Sequence, residues 1–206
     1  MTKPLALVVG VGDGVSASLA RMLHREGYRL VLAARDIEKI EALAAETEAK
    51  RIACDASAPG DVDSLFAALE GPLRVAIYNP SARQRGPITE LDREAVAHAI
   101  NVTAYGAFLF GQAAARMMLD QPPDNGVLGT ILFTGASAGV KGFPQSAPFA
   151  MGKFALRGLA QSMARELGPM NVHVAHVVID GQIRSQRYRE LAEQRGPDAL
   201  LEPEAI

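Results

Sequence analysis

Leu5-Ala6-Leu7-Val8-Val9 runs directly into Gly10-Val11-Gly12-Asp13-Gly14-Val15-Ser16, and a helical pattern follows from Ser16. A short apolar strand, a glycine turn and a helix form one unit at the start of the chain. Glycine allows the tight turn and lets the backbone approach a phosphate. The helix N-terminus behind it presents free N–H groups and a partial positive charge. Gly10, Gly12, Gly14 and Val15 are therefore candidate cofactor contacts. An ordinary strand-to-helix turn would use the same glycines, so the surrounding pattern has to decide.

That pattern alternates. Apolar runs at Leu5–Val9, Tyr28–Ala34, Arg51–Cys54, Leu73–Tyr78, Val127–Thr134 and Val172–Ile179 read as strands. Several are nearly continuous in apolar character, as in a parallel sheet covered on both faces. Amphipathic stretches at Ser16–Glu26, Ile37–Glu48, Asp61–Leu69, Glu90–Leu119 and Pro148–Leu167 read as helices. The expected fold is α/β: a Rossmann-type, doubly wound parallel sheet in three layers, α/β/α, with six strands visible. No composition shift divides the chain, so residues 1–206 form a single domain. The bases Arg184, Arg187 and Arg189 read as a solvated face.

Composition narrows the function. Hydrophobic residues make up 49% and charged residues 21%, with a net charge of −2. That balance excludes disorder and gives no footing for nucleic acid. Aromatics are 5% and tryptophan is absent, which argues against base stacking. The lone Cys54 cannot form an internal disulfide, which fits a reducing compartment. No apolar run reaches membrane length, so a cytoplasmic location is expected. His24, His98, His173 and His176 lack a ligand pattern, and no metal site is expected.

The end of the second strand bears on cofactor choice. An acid there would bond a ribose 2′-hydroxyl, whereas an arginine would accept a 2′-phosphate. The residues are Ala34-Arg35-Asp36, so NADP(H) is favoured over NAD(H). A surface pair between Arg35 and Asp36 is the plain alternative.

The chain resembles the short-chain dehydrogenase/reductase family over nearly its whole length. The family's glycine turn maps onto Gly10, Gly14 and Ser16, with the third glycine replaced. The resemblance places Asp55 and Ala56 at the adenine and Asn79 of Tyr78-Asn79-Pro80-Ser81 at the cofactor. It makes Asn101 the asparagine of the long helix. In Asp180-Gly181-Gln182-Ile183-Arg184-Ser185, it places Ile183 and Ser185 at the nicotinamide. It also implies a homodimer or homotetramer formed through the long helices. The family's Tyr-x-x-x-Lys matches only at Lys153. Phe149 stands at the tyrosine and Ala136 at the serine thirteen positions upstream.

The resemblance implies an NADP(H)-dependent oxidoreductase acting on a carbonyl or alcohol by hydride transfer, with a non-standard proton donor. Lys153, with a water shared with Asn101, is the expected substitute. A cofactor-binding protein without catalysis, serving as a sensor or in assembly, is the second reading. Tyr78, His98, Ser137, Ser146 and Tyr188 are further hydroxyl or imidazole candidates, each with an ordinary structural role open to it. Gly135-Ala136-Ser137-Ala138-Gly139 also fits a hydrolase nucleophile elbow, but Val140-Lys141-Gly142-Phe143-Pro144 is a poor helix start. Finally, the family's chain continues past the sixth strand with a helix and a seventh strand. Here Glu202-Pro203-Glu204 begins like a helix and stops, so a missing C-terminal segment is expected.

Overall fold

A computed structural model describes residues 3–206 except 186, 187, 189, 191–193, 195, 197 and 198. Arg187 and Arg189 lie outside the described residues. The element order is β1 (Leu5–Val9), α1 (Val15–Arg25), β2 (Arg29–Ala34), α2 (Glu41–Glu46), β3 (Lys50–Ala53), α3 (Pro59–Ala67), β4 (Leu73–Tyr78), α4 (Arg93–Ile100), α5 (Gly106–Leu119), β5 (Gly129–Thr134), α6 (Ala147–Leu167) and β6 (Val172–Val177). The strands form one parallel sheet in the order β3-β2-β1-β4-β5-β6. Chain order reverses between β1 and β4, which opens a crevice beyond their carboxyl ends.

Alternation along each strand divides the core. Leu5, Leu7 and Val9, with Tyr78, Ile131 and Phe133, face α3, α5 and α6. Ala6 and Val8, with Leu30, Leu32 and Ile77, face α1 and α2. Burying a leucine or phenylalanine contributes about 1.5–3 kcal/mol. Both faces are covered, which is why these strands read as unbroken apolar runs.

The expected helix Glu90–Leu119 is three elements. Asp92 caps α4 by accepting from the Ala95 N–H at 2.8 Å, so the helix starts later than expected. A π-helical turn, Asn101–Tyr105, then separates α4 from α5. There the Val102 carbonyl accepts the Tyr78 hydroxyl at 2.6 Å. Gly106 follows because a side chain would collide with that hydroxyl and with the Ala56 carbonyl. The expected helix Ile37–Glu48 is a short 3-10 turn, Glu38–Ile40, followed by α2. Beyond α2, the Thr47 hydroxyl donates to the Leu43 carbonyl at 2.7 Å and Glu48 turns left-handed. No described helix is long and apolar enough to cross a membrane.

Candidate active site

The site is built at the carboxyl ends of β1, β4 and β5. Gly10 ends β1 with φ +78°, a left-handed conformation that favours glycine. A Cβ there would stand 2.5 Å from the Pro80 nitrogen. The two turns can approach because Gly10 has no side chain where the Pro80 ring sits. Asn79 fastens them: its side-chain amide donates to the Gly10 carbonyl at 3.1 Å, and its backbone N–H donates to the Val9 carbonyl at 3.0 Å.

The connection continues across the sheet. The Thr134 hydroxyl donates to the Asn79 side-chain oxygen at 2.9 Å. Lys153 Nζ, from α6, donates to the Thr134 carbonyl at 2.7 Å. A series of polar contacts thus runs from the glycine turn to the lysine. Lys153 is 4% exposed. Burial, and then the charge of Arg83, push its ammonium down to about 8.

Ser16 is buried and ties the turn together. Its hydroxyl accepts the Gly12 N–H at 2.9 Å. Gly14 occupies the N-cap of α1, which has no side-chain cap, leaving the helix end open. A Cβ on Gly12 would meet nothing within 4 Å. This open cradle at an uncapped helix N-terminus fits a dinucleotide's phosphates. Val15 is buried as the first helical residue. Ile183 crosses the same turn, its Cγ2 lying 3.6 Å from where a Gly14 Cβ would be, so the segment carrying Ser185 comes over the glycine turn.

Arg35 is exposed beyond β2. Asp36 pairs with Lys39 at 3.0 Å rather than with Arg35. The Asp55 carboxylate accepts the Ser57 hydroxyl at 2.6 Å and the Ser57 N–H at 2.9 Å. Those bonds hold it below the usual carboxylate range, with smaller contributions from Arg35 and His98. Ala56 is buried, and its carbonyl faces Gly106. Asn101 begins the π turn and is exposed.

Phe149 and Lys153 lie one turn apart on α6, with Nζ 5.8 Å from the ring centroid. The Arg83 guanidinium carbon sits 3.9 Å from the same centroid. Ala136 precedes a single 3-10 turn, Ser137–Gly139. Ser137 therefore does not open a helix, unlike a nucleophile elbow. Tyr78 is fully buried, with its hydroxyl committed to Val102. Ser146 takes the α6 N-cap position, but its side chain makes no capping bond, a departure from its expected role. His98 is exposed on α4, and Tyr188 lies in the segment after β6. Its backbone N–H donates to the Ser185 carbonyl at 3.0 Å.

Arg83, Thr134 and His176 were not singled out for these contacts by sequence reading. Arg83 had one signal, its place in the loop after the β4 carboxyl end. His176 lies under α6 with Nε2 buried and without a hydrogen bond among the described residues. Burial, and then the charges of Lys153 and Arg157, lower its proton affinity below that of an ordinary histidine. Gly135 makes room for it, since a Cβ there would overlap the imidazole. Among the described residues no group of three His, Cys, Asp or Glu side chains could hold a metal ion.

Strand order and the crevice at the switch point define a doubly wound α/β protein. Residues 4–196 match the short chain dehydrogenase family, and the chain belongs to it. This is a family of oxidoreductases that use NAD(P)H. A short-chain dehydrogenase structure from Rhodopseudomonas palustris is 31% identical, with a TM-score of 0.79, covering 98% of this chain and 96% of that one. The 3-oxoacyl-acyl-carrier-protein reductase MabA of Mycobacterium bovis is 29% identical over 197 residues, which are 94% of this chain and 75% of that protein. The corresponding reductase of Rattus norvegicus is 27% identical over 192 residues, 91% of this chain and 78% of that protein.

Proposed function

We propose that this chain is an NADP(H)-dependent oxidoreductase that interconverts a carbonyl and an alcohol without the family's tyrosine. The observation that carries the reading is the bonded series from Gly10 through Asn79 and Thr134 to Lys153. It joins the phosphate-type turn to a buried cation across one crevice. In this reading Gly10, Gly12, Gly14 and Val15 hold the pyrophosphate, and Arg35 holds the 2′-phosphate. Asp55 and Ala56 flank the adenine, while Asn79, Ile183 and Ser185 flank the nicotinamide end. Bound NADPH supplies a hydride to the carbonyl carbon.

The chain must then supply one proton to the carbonyl oxygen. Phe149 has none to give, and Ala136 has no hydroxyl. Lys153, held at about 8, is matched to a proton transfer near neutral pH. One of its N–H groups is used by Thr134, leaving others to hold a ribose hydroxyl or a water beside Asn101. Loss of a general acid costs about 10²–10⁴-fold, so the reaction is slowed rather than abolished. The curated relatives are named as 3-oxoacyl reductases, which supports a ketone as the substrate class.

Titration with NADPH and NADH, followed by a ketone turnover screen, tests the proposal. Tighter NADPH binding and turnover lost in Lys153→Met are expected. Turnover unaffected by Lys153→Met would overturn it. The second reading, a cofactor-binding protein without catalysis, is favoured by Phe149 and Ala136 themselves; NADPH binding without turnover would support it. Tyr105 and Phe108 before and on α5, and Met151 and Phe154 on α6, are exposed apolar side chains that support pairing as a homodimer or homotetramer. Light scattering on the purified chain reads that state directly.

A further inference from the structure

We infer that His176 resupplies Lys153 with its proton: the buried imidazole nitrogen Nε2 passes a proton, through a bound water, to the lysine nitrogen that serves the reacting oxygen. The inference rests on the hydride-transfer reading and adds to it a residue that acts through Lys153.

The Nε2 atom is sealed from solvent and has no hydrogen-bond partner among the described residues. A buried polar atom is ordinarily satisfied by protein or by bound water. His176 as a whole is only half-buried. Its ring therefore spans from water to the interior, with Nε2 at the inner end. An imidazole can take up a proton at one nitrogen and release one at the other.

The strand register puts His176 beside Phe133, on the face that α6 covers. The end of β5 then joins it to the lysine. Lys153 Nζ donates to the Thr134 carbonyl at 2.7 Å. On the Gly135 side of that same peptide, a Cβ would overlap the imidazole at Nε2 and Cε1. One peptide group thus borders both the lysine nitrogen and the unpartnered nitrogen. The loop that follows closes over them. A Cβ on Gly139 would stand 3.0 Å from the Lys153 carbonyl oxygen, and Arg157 Nη1 donates to the Gly139 carbonyl at 3.3 Å. The ammonium keeps two N–H groups beyond the one that Thr134 takes, so a water between Nζ and Nε2 has a partner on each side.

Lys153 is 4% exposed, and Phe149, one turn before it, is 7% exposed. With substrate and cofactor filling the crevice, bulk water is shut off on that side. In reduction the carbonyl carbon gains a hydride and its oxygen takes a proton from Nζ, so an O–H bond forms as an N–H bond breaks. The amine left behind regains its proton from the water, the water from Nε2, and the other imidazole nitrogen takes one from solvent. Tautomer exchange resets the ring. Alcohol oxidation runs the same transfers backwards. The charged groups on this side are Lys153 and Arg157, both from α6. Residues 135–139 bring no titratable side chain, and His173 points to the opposite face of β6. Burial lowers the proton affinity of His176, which favours the neutral imidazole that a relay needs.

The test compares the natural chain with His176→Ala in NADPH-dependent ketone turnover. The variant is expected to lose about 10- to 100-fold in kcat with KM unchanged. Free imidazole is expected to restore the rate, whereas pyrazole, of the same shape but a far weaker base, is not. Unimpaired kcat in His176→Ala overturns the relay and leaves the hydride-transfer reading intact. Equal rescue by imidazole and pyrazole also overturns it, because His176 then only fills space. No turnover by the natural chain on any ketone removes the hydride-transfer reading and the relay with it. A second measurement needs neither cofactor nor turnover: NMR titration of the His176 ring in the natural chain and in Lys153→Met. Removing the ammonium is expected to raise the midpoint, and an unmoved midpoint overturns the inference.

Discussion

Lys153 donates to the Thr134 carbonyl across 2.7 Å, linking the middle of the crevice to α6. A buried ammonium with a backbone acceptor is positioned well but remains costly to keep charged. Its folded pKa, about 8, lies below its ordinary value of 10.5. Between those values the unfolded chain binds more protons than the folded one, so stability rises with pH across that window. The gain from this group is about 3 kcal/mol at most. Urea unfolding at a series of pH values from neutral to alkaline is expected to show the rise in the natural chain. Lys153→Met is expected to remove that part of the slope.

Gly10 and Gly12 are neighbours with opposite tolerance. Gly10→Ala puts a side chain at left-handed φ and against Pro80, and is expected to cost about 2 kcal/mol or more. Gly12→Ala meets open space and is expected to stay within about 0.5 kcal/mol of the natural chain. Thermal melts separate the two. The same Gly12→Ala variant is expected to weaken NADPH binding if the open cradle holds phosphate.

Phe149→Tyr places a hydroxyl on a ring already flanked by Arg83 and Lys153. The Arg83 charge favours the phenolate, and Lys153, neutral above about 8, adds to it only at lower pH, so the new tyrosine is expected to titrate below its ordinary value near 10. Ultraviolet difference titration against the parent chain measures this directly. With Ala136→Ser added, ketone turnover is expected to rise about 10²-fold or more. Unchanged turnover with a normally titrating tyrosine would place the reacting oxygen elsewhere.

Gly135 and His176 are expected to behave as a coupled pair. Gly135→Ala overlaps the imidazole and the Val177 carbonyl, and such overpacking costs about 1–3 kcal/mol. Adding His176→Ala removes one of the two collisions. A double-mutant cycle in denaturant is therefore expected to give partial rescue, with a coupling energy of about 1 kcal/mol. Additive losses would show that the backbone moves to accommodate the new methyl group.

The sheet was legible because its strands are buried on both faces. Leu5–Val9 and Leu73–Tyr78 appear with the expected bounds, and the others shift by a residue or two. The glycine turn was legible because glycine has few other reasons to recur there. The π turn at Asn101–Tyr105 was not, since it depends on a hydroxyl from Tyr78, on another element. Arg83 on Phe149 was hidden for the same reason: 66 positions separate them, and only the fold brings loop and helix together. The Arg35–Asp36 pair was a reasonable local alternative, but Lys39 is the aspartate's partner.

Ser16 has one further effect. By taking up the Gly12 amide, it leaves the turn with one fewer backbone donor to offer a ligand phosphate. If Arg35 holds the 2′-phosphate as proposed, more of the attraction comes from this residue, which stands in solvent. Amide contacts are shielded by their own close fit, whereas an exposed charge is screened by ions over about 8–10 Å at ordinary salt. Nucleotide affinity in this protein is therefore expected to depend more steeply on ionic strength than in a turn whose third glycine is kept.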